Sequence, residues 1–287
     1  MKPAAFAYHR PSSIEEALAQ LARSDNAKVI AGGQSLGPMM NMRLAMPSDL
    51  IDLNDLTELA YIRDVGDAIE IGALTRHYQV EESELVQSRC PLVSQAARTI
   101  GHYAIRQRGT LGGSLAHADP AAQLALVAVT LDAQVDIVSL RGQRTLPASE
   151  FFLSVMATAL EPDEVIRSVR FAKAVEREGA SFEIFNRRHG DFAIVAVATT
   201  IALQQGRVAR LRIGLAGLDV VPLAYDALGK QFCGHIPDAA WVASVAHAVR
   251  EEVTPADDPR IPAVYRKELT ETLVTRALAG ALDRAKG

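Results

Sequence analysis

The chain has 287 residues, nearly half of them apolar, and a formal net charge of −4. This length accommodates one large domain or two moderate ones, with enough apolar side chains for a sizeable core. Because the charge is slightly negative and Lys and Arg form no block, the composition argues against a nucleic-acid-binding protein.

The two cysteines, Cys90 and Cys233, are far apart in the sequence, and no CxxC motif occurs. The chain is therefore expected to hold no iron–sulfur cluster and no cysteine-based zinc site, with both thiols free in a reducing cytoplasm. The first residues lack the apolar core of a signal peptide, and no stretch approaches the ~18 apolar residues of a membrane span. A soluble, cytoplasmic protein is the expectation.

The first predicted element is an amphipathic helix over residues 14–21, where apolar residues recur at i, i+3, i+4 and i+7. Its start carries two candidate capping boxes, formed by Ser12 with Glu15 or by Ser13 with Glu16.

The later elements follow from the same kind of pattern. Strands are predicted at 28–30, 50–53, 68–73, 135–138, 145–146, 165–171, 181–185, 193–203 and 208–215. Helices are predicted near 38–44, at 92–100, 120–131 and 239–251, and in a last segment with Leu269 to Leu282 on one side. The helix at 120–131 is apolar on nearly all faces, so it should be buried, with Asp119 as N-cap and Pro120 at its first position.

A polar stretch at 172–179 has no apolar periodicity and marks the expected domain boundary. An N-terminal domain would span 1–175, with subdomains of about 1–56 and 57–175. A C-terminal domain would span 176–287, and its closely spaced strands would form an antiparallel meander.

Two glycine-bearing segments, 31–37 and 109–114, are the strongest candidates for a ligand site. Glycine lets the backbone approach a ligand closely, and successive N–H groups in such loops form anion-binding nests. With a helix N-terminus nearby and hydroxyls from Ser35, Thr110 and Ser114, the pair could grip the two phosphates of a dinucleotide. Two tight turns without a ligand are the alternative that glycine content leaves open.

Several nucleotide-binding and hydrolase motifs are absent. The segment 32–37 lacks the G-x-G-x-x-G spacing of a dinucleotide-binding Rossmann fold, and no P-loop, H-E-x-x-H or G-x-S-x-G motif occurs.

Other polar residues flank the second segment. His117 is interpreted as close to a ligand, whereas His102 is interpreted as structural. Arg106 and Arg108 could neutralise a pyrophosphate, lie at a subunit contact or be solvated surface charges. Asp119 is better explained as a helix cap than as a catalytic acid.

The two segments resemble the two FAD loops of the molybdenum-hydroxylase flavoprotein family. That family includes the medium subunit of aerobic carbon monoxide dehydrogenase and the flavin domain of xanthine dehydrogenase. The matching residues are Ala31 to Leu36 with Pro38 and Arg43, then Gly101, His102, Ile105, Arg106, Arg108 to Ser114, and Ala116 to Pro120. The segments 6–11 and 187–193 also fit, so the resemblance covers essentially the whole chain.

The resemblance implies an α+β fold, with a two-subdomain FAD-binding domain of the vanillyl-alcohol-oxidase (PCMH) type. A smaller α+β domain with an antiparallel sheet would follow. FAD would lie between the two subdomains, and Ile166 and Phe192 would lie near the flavin ring. The implied FAD-binding residues are Lys28, Ala31, Gly32, Gly33, Gln34, Ser35, Leu36, Ile105, Gly109, Thr110, Gly112, Gly113, Ser114, Ala116, His117, Gln123, Ile166 and Phe192.

One position departs from the family pattern. Where the family usually has an acidic residue that contacts the flavin ribityl chain, this sequence has Gln123. An amide both accepts and donates hydrogen bonds, so the site should survive with a changed affinity or potential. A proline usual in the family is replaced by Ala125.

The implied complex has three chain types. A large subunit would bind a molybdopterin cofactor and hydroxylate the substrate, and a small subunit would hold two [2Fe–2S] clusters. This chain would relay electrons through FAD to an acceptor, without a catalytic side chain or a metal, in a dimer of heterotrimers. A free-standing FAD oxidase and a non-enzymatic nucleotide-binding scaffold are the rival hypotheses. The sequence does not identify the substrate or the acceptor.

Overall fold

The computed structural model describes residues 1–286; Gly287, the last residue of the predicted C-terminal domain, lies outside them. The strands are β1 (Ala7–His9), β2 (Ala27–Ile30), β3 (Asp49–Asp52), β4 (Ile62–Asp64), β5 (Ala68–Gly72), β6 (Gln134–Ser139), β7 (Gly142–Pro147), β8 (Phe152–Ser154), β9 (Ala157–Thr158), β10 (Val165–Ala172), β11 (Glu178–Phe185), β12 (Val195–Gln204), β13 (Arg207–Ala216) and β14 (Leu223–Ala224). The helices are α1 (Ile14–Leu21), α2 (Leu36–Asn41), α3 (His77–Glu82), α4 (Glu84–Arg89), α5 (Pro91–Arg98), α6 (Tyr103–Arg108), α7 (Leu111–His117), α8 (Gln123–Thr130), α9 (Ala148–Phe151), α10 (Asp226–Gln231), α11 (Ala239–Glu252) and α12 (Ala263–Lys286).

The first sheet is small and parallel, in the order β1-β3-β2, and α1 packs on it. The predicted helix at 14–21 is confirmed. Its N-cap is Ser13, whose Oγ accepts a hydrogen bond from Glu16 N at 3.2 Å. The second candidate capping box, Ser13 with Glu16, therefore forms with one difference. The Glu16 carboxylate accepts from Ser12 N at 2.7 Å and not from the N-cap residue Ser13 itself.

The second sheet is antiparallel, in the order β4-β5-β10-β6-β7. Helices α3, α4, α5, α7 and α8 bury their apolar sides against it in the largest core cluster. The strands predicted at 68–73, 135–138 and 165–171 are confirmed within one residue at each end.

The helix predicted at 120–131 is present but begins later, at Gln123, so the predicted cap at Asp119 is wrong. Asp119 Oδ1 instead accepts from Ala121 N at 2.8 Å, which stabilises a turn before the helix. All eight residues of α8 are buried, as its uniformly apolar sequence predicted. The helix lies between α5 and the third sheet.

The third sheet, β11-β12-β13-β14, is the predicted antiparallel meander extended by one short strand. Its central strand β12 is buried on both faces. Val195 and Val197 pack with the cluster of α11 and α12, whereas Ala196 and Ala198 pack with the cluster that includes α8. Small side chains on the α8 side therefore let α8 pack closely on this face of the sheet.

Both cysteines are free, and burial raises the pKa of the Cys90 thiol to about 12. Among residues 1–286, no helix combines the length and apolar character that crossing a membrane requires.

Candidate functional site

The two glycine-bearing segments meet at Gly32. A Cβ atom at this position would lie 2.1 Å from Arg108 O and 2.8 Å from Gly109 Cα. No side chain fits in that space, because the neighbouring atoms belong to the backbone. The approach therefore requires glycine and brings the end of β2 into direct contact with the start of the second segment.

Two side chains that the sequence analysis did not single out hold this contact together. Asn54 Nδ2 donates to Ala31 O at 2.8 Å, and its Oδ1 accepts from Arg76 Nη2 at 2.6 Å. The other nitrogen of the same guanidinium, Nη1, donates to Arg108 O. Arg76 thus links both segments, and neither residue carries a local sequence signal for this role.

The first segment presents unpartnered backbone donors. Within residues 1–286, the N–H groups of Gly32, Gly33, Gln34 and Ser35 donate to no protein acceptor, although Gly37 N donates to Gly33 O at 3.1 Å. Gly33 has φ +69°, a left-handed conformation of the kind that occurs in anion-binding nests. Such a donor set fits the oxygens of a pyrophosphate, so the segment meets the chemical requirement of a dinucleotide such as FAD.

The second segment differs from its prediction, because 109–114 is not a loop. Thr110 caps α7, with its Oγ1 accepting from Gly113 N at 3.1 Å. Gly112 N donates to Ala73 O at 2.9 Å and Ser114 N to Thr110 O at 3.0 Å. These N–H groups are therefore already used, so the anion-nest description applies to the first segment only. The second segment offers an exposed backbone face around Gly113.

His77 lies beneath this helix and is 3% exposed. Its Nε2 is 2.9 Å from Thr110 O and 3.0 Å from Ser114 Oγ. Burial lowers the pKa of His77 to about 4, with a smaller contribution from the positive charges of Arg106 and Arg76. The ring is therefore neutral near pH 7.

This depressed pKa predicts a pH-dependent stability. The unfolded ring takes up a proton near pH 6.5, but the folded ring does so only near pH 4. The stabilisation of the neutral buried ring is therefore present above pH 6.5 and is lost as the pH falls towards 4. Denaturant titrations at pH 7, 5.5 and 4 test this. Between pH 7 and pH 4 the free energy of unfolding of wild type should fall by about 3 kcal/mol more than that of His77→Gln, since one pKa unit is about 1.4 kcal/mol. If the difference in unfolding free energy between wild type and His77→Gln stays constant over this pH range, His77 is not buried as a neutral ring with a lowered pKa.

The other predicted site residues differ in their exposure to solvent. Lys28 is exposed on β2, Leu36 and Ile105 lie partly buried in α2 and α6, and Ala116 and His117 end α7 beside Gly113. Gln123 is 8% exposed and its Nε2 lies 3.4 Å from Thr99 O.

The two residues predicted near the flavin ring have opposite environments. Ile166 is 3% exposed in the core on β10, whereas Phe192 is 67% exposed in the loop before β12. Their role at the ring stays a prediction.

The loop of Phe192 contacts His102, the residue before α6, through His189 and Gly190. The rings of His102 and His189 lie 5.7 Å apart, and Gly190 packs against the His102 ring. Arg106, a candidate for pyrophosphate contact, instead donates through Nε to Glu81 Oε2 at 2.8 Å in a partly buried ion pair. Its charge is thus already balanced within the protein.

Fold and site together define a two-domain FAD-binding architecture. Residues 4–173 match the family described as "FAD binding domain in molybdopterin dehydrogenase". Residues 180–281 match the "CO dehydrogenase flavoprotein C-terminal domain".

Similar proteins and structures cover the whole chain. It is 40% identical over 288 residues to the 6-hydroxypseudooxynicotine dehydrogenase complex subunit alpha of Paenarthrobacter nicotinovorans, covering 100% of this chain and 97% of that one. A solved carbon monoxide dehydrogenase from Hydrogenophaga pseudoflava superposes with a TM-score of 0.95 at 35% identity, covering 99% of both chains. Quinoline 2-oxidoreductase from Pseudomonas putida 86 gives a TM-score of 0.96 at 32% identity, covering 100% of both. The chain belongs to the family of FAD-binding subunits of molybdopterin dehydrogenases, which confirms the resemblance, the FAD cofactor and the oxidoreductase class.

Proposed function

We propose that this chain is the electron-relay subunit of a heterotrimeric molybdenum hydroxylase. It would accept electrons from the [2Fe–2S] clusters of a small subunit and deliver them to an external acceptor, while a large molybdopterin subunit hydroxylates the substrate. The observation that carries the proposal is the backbone contact of Gly32 with Arg108, beside a run of unpartnered N–H donors.

Bound FAD would supply the electron transfer chemistry, and the chain would bind and orient it. The N–H groups of 32–35 would hold pyrophosphate oxygens, and the exposed face around Gly113 would let the cofactor approach α7. Gln123, buried at the start of α8, would donate or accept a hydrogen bond in place of the family's usual acid.

Substrate recognition is assigned to the large subunit. Relatives similar over nearly their whole length are named for caffeine and for carbon monoxide, two substrates with little chemistry in common. Because such similar flavin chains belong to enzymes named for such different substrates, the flavin chain need not contact the substrate. We further propose a dimer of heterotrimers in the cytoplasm, and a domain division at 175/176, between β10 and β11, which belong to different sheets.

The full chain expressed alone should be yellow. Absorption spectra and acid release should give about one FAD per chain, because the binding segments lie within this chain. Turnover of candidate substrates should appear only after the partner subunits are added. Turnover by the chain alone would favour a free-standing oxidase. Absence of flavin from the chain, from Gln123→Glu and from the co-expressed complex would refute the assignment.

A further inference from the structure

The hydrogen bonds around His77 fix its protonation by elimination. Thr110 O can only accept, and it lies 2.9 Å from His77 Nε2, so Nε2 carries the proton. The other ring nitrogen, Nδ1, is buried and has no hydrogen-bond partner among residues 1–286, which is tolerable only for a neutral ring with a bare Nδ1. Gly109 packs closely on the ring, since a Cβ there would lie 2.6 Å from His77 Cε1.

The same bonds determine what the Ser114 hydroxyl can do. Ser114 Oγ lies 3.0 Å from His77 Nε2 and accepts from it, because that nitrogen cannot accept. Its own proton cannot go to Thr110 O, whose two lone pairs already receive Ser114 N–H and the imidazole N–H. Among residues 1–286, the Ser114 hydroxyl proton has no protein acceptor. The side chain is partly exposed on the α7 face beside Gly113.

We propose that His77 is a positioning residue that makes the Ser114 hydroxyl an obligate donor to a phosphate oxygen of the bound dinucleotide. This rests on the proposed function, because it takes the pyrophosphate of FAD to bind beside the two glycine-bearing segments. His77 does not touch the ligand. Its protonated Nε2 cannot accept a hydrogen bond from the Ser114 hydroxyl, and its N–H occupies a lone pair of Thr110 O that could otherwise accept that hydrogen bond. The neutral ring keeps this arrangement at physiological pH, because burial suppresses its protonation.

The test is a double-mutant cycle on FAD affinity of the full chain, measured by titrating flavin-depleted protein with FAD. Ser114→Ala and His77→Leu should each raise Kd about 10-fold, the usual effect of one hydrogen bond to a charged group. The double variant should be no weaker than either single variant, since both changes remove the same bond. His77→Gln, which keeps a donor nitrogen, should recover most of the affinity lost in His77→Leu. Ser244→Ala, an exposed serine on α11, should leave Kd unchanged.

A second readout does not depend on FAD. Nitrogen-15 spectra of histidine-labelled protein at pH 7 should place His77 in the neutral Nε2–H form. A charged ring, or an Nδ1–H form, would overturn the proposal, as would fully additive effects of the two substitutions. If wild type binds FAD but the cycle is additive, only the role of His77 fails; if wild type binds no FAD, the proposed function fails first. Thermal melts of the flavin-free variants identify any loss of affinity that comes from unfolding.

Discussion

Gly32→Ala is expected to abolish flavin binding and to destabilise the protein by about 3 kcal/mol or more, at the upper end of overpacking effects. The new Cβ would lie 2.1 Å from Arg108 O, an atom that Arg76 also holds in place. Relief would require the two segments to separate, which would disperse the donors of 32–35. The variant should lose its flavin during gentle purification, because its apparent affinity for FAD should fall at least about 100-fold. Its Tm should fall by about 6 °C or more.

Gly37→Ala is the matched control for this change. Gly37 belongs to the same segment, but a Cβ there meets nothing within 4 Å, and the residue lies inside α2. Alanine favours a helix over glycine by about 1 kcal/mol, so this variant should keep its flavin and be as stable as wild type or slightly more so. Equal flavin content in both variants would mean that the contact of Gly32 does not shape the site.

The elements with regular periodicity were predictable because their signal is local. α1 needs only its apolar spacing and Ser13, and the β11–β13 meander needs only closely spaced apolar runs. The glycines of 31–37 also predicted a close backbone approach, and Gly32 makes one with Arg108 and Gly109. The contact of this segment with the cofactor stays a prediction.

The second segment was misjudged because local propensity conflicts with tertiary packing. Gly112 and Gly113 disfavour a helix, and a loop was therefore the expectation. In the structure α7 forms because Thr110 caps it and Gly112 N donates to Ala73 O, just after the end of β5. The helix start predicted at Asp119 failed for a related reason: a preceding helix already ends at His117, and the chain must turn before α8.

His77, Asn54 and Arg76 could not be found from the sequence. Each acts on partners more than 20 residues away, and none belongs to a recognisable motif. They find their partners only because the fold brings the residues after β2 and β3, the start of α3 and the start of α7 into contact. The sequence thus indicates which backbone segments are candidates for cofactor contact, whereas the side chains that hold those segments together become visible only in the fold.

Gly179→Ala should be the most damaging single-methyl change in the C-terminal part of the chain. Gly179 lies in β11 where α12 crosses it, and a Cβ there would be 1.9 Å from Ala281 O and 2.6 Å from Ala285 N. Both neighbours are helix backbone, so α12 would have to move away from a sheet against which its apolar side is fully buried. A loss of about 3 kcal/mol or more is expected, because a shifted helix leaves cavities along the whole contact.

Gly280→Ala tests the same helix–strand contact without the backbone clash. The nearest neighbours of its Cβ would be side-chain atoms, with Ser181 Oγ at 2.9 Å and Arg284 Nη1 at 3.1 Å. Alanine also favours the helix by about 1 kcal/mol, so the two terms should nearly cancel. Denaturant unfolding followed by the fluorescence of Trp241, the only tryptophan in the chain and a member of the same core cluster, measures both variants. If Gly179→Ala unfolds at the same denaturant concentration as Gly280→Ala, the tight seating of α12 on β11 is not what stabilises this part of the chain.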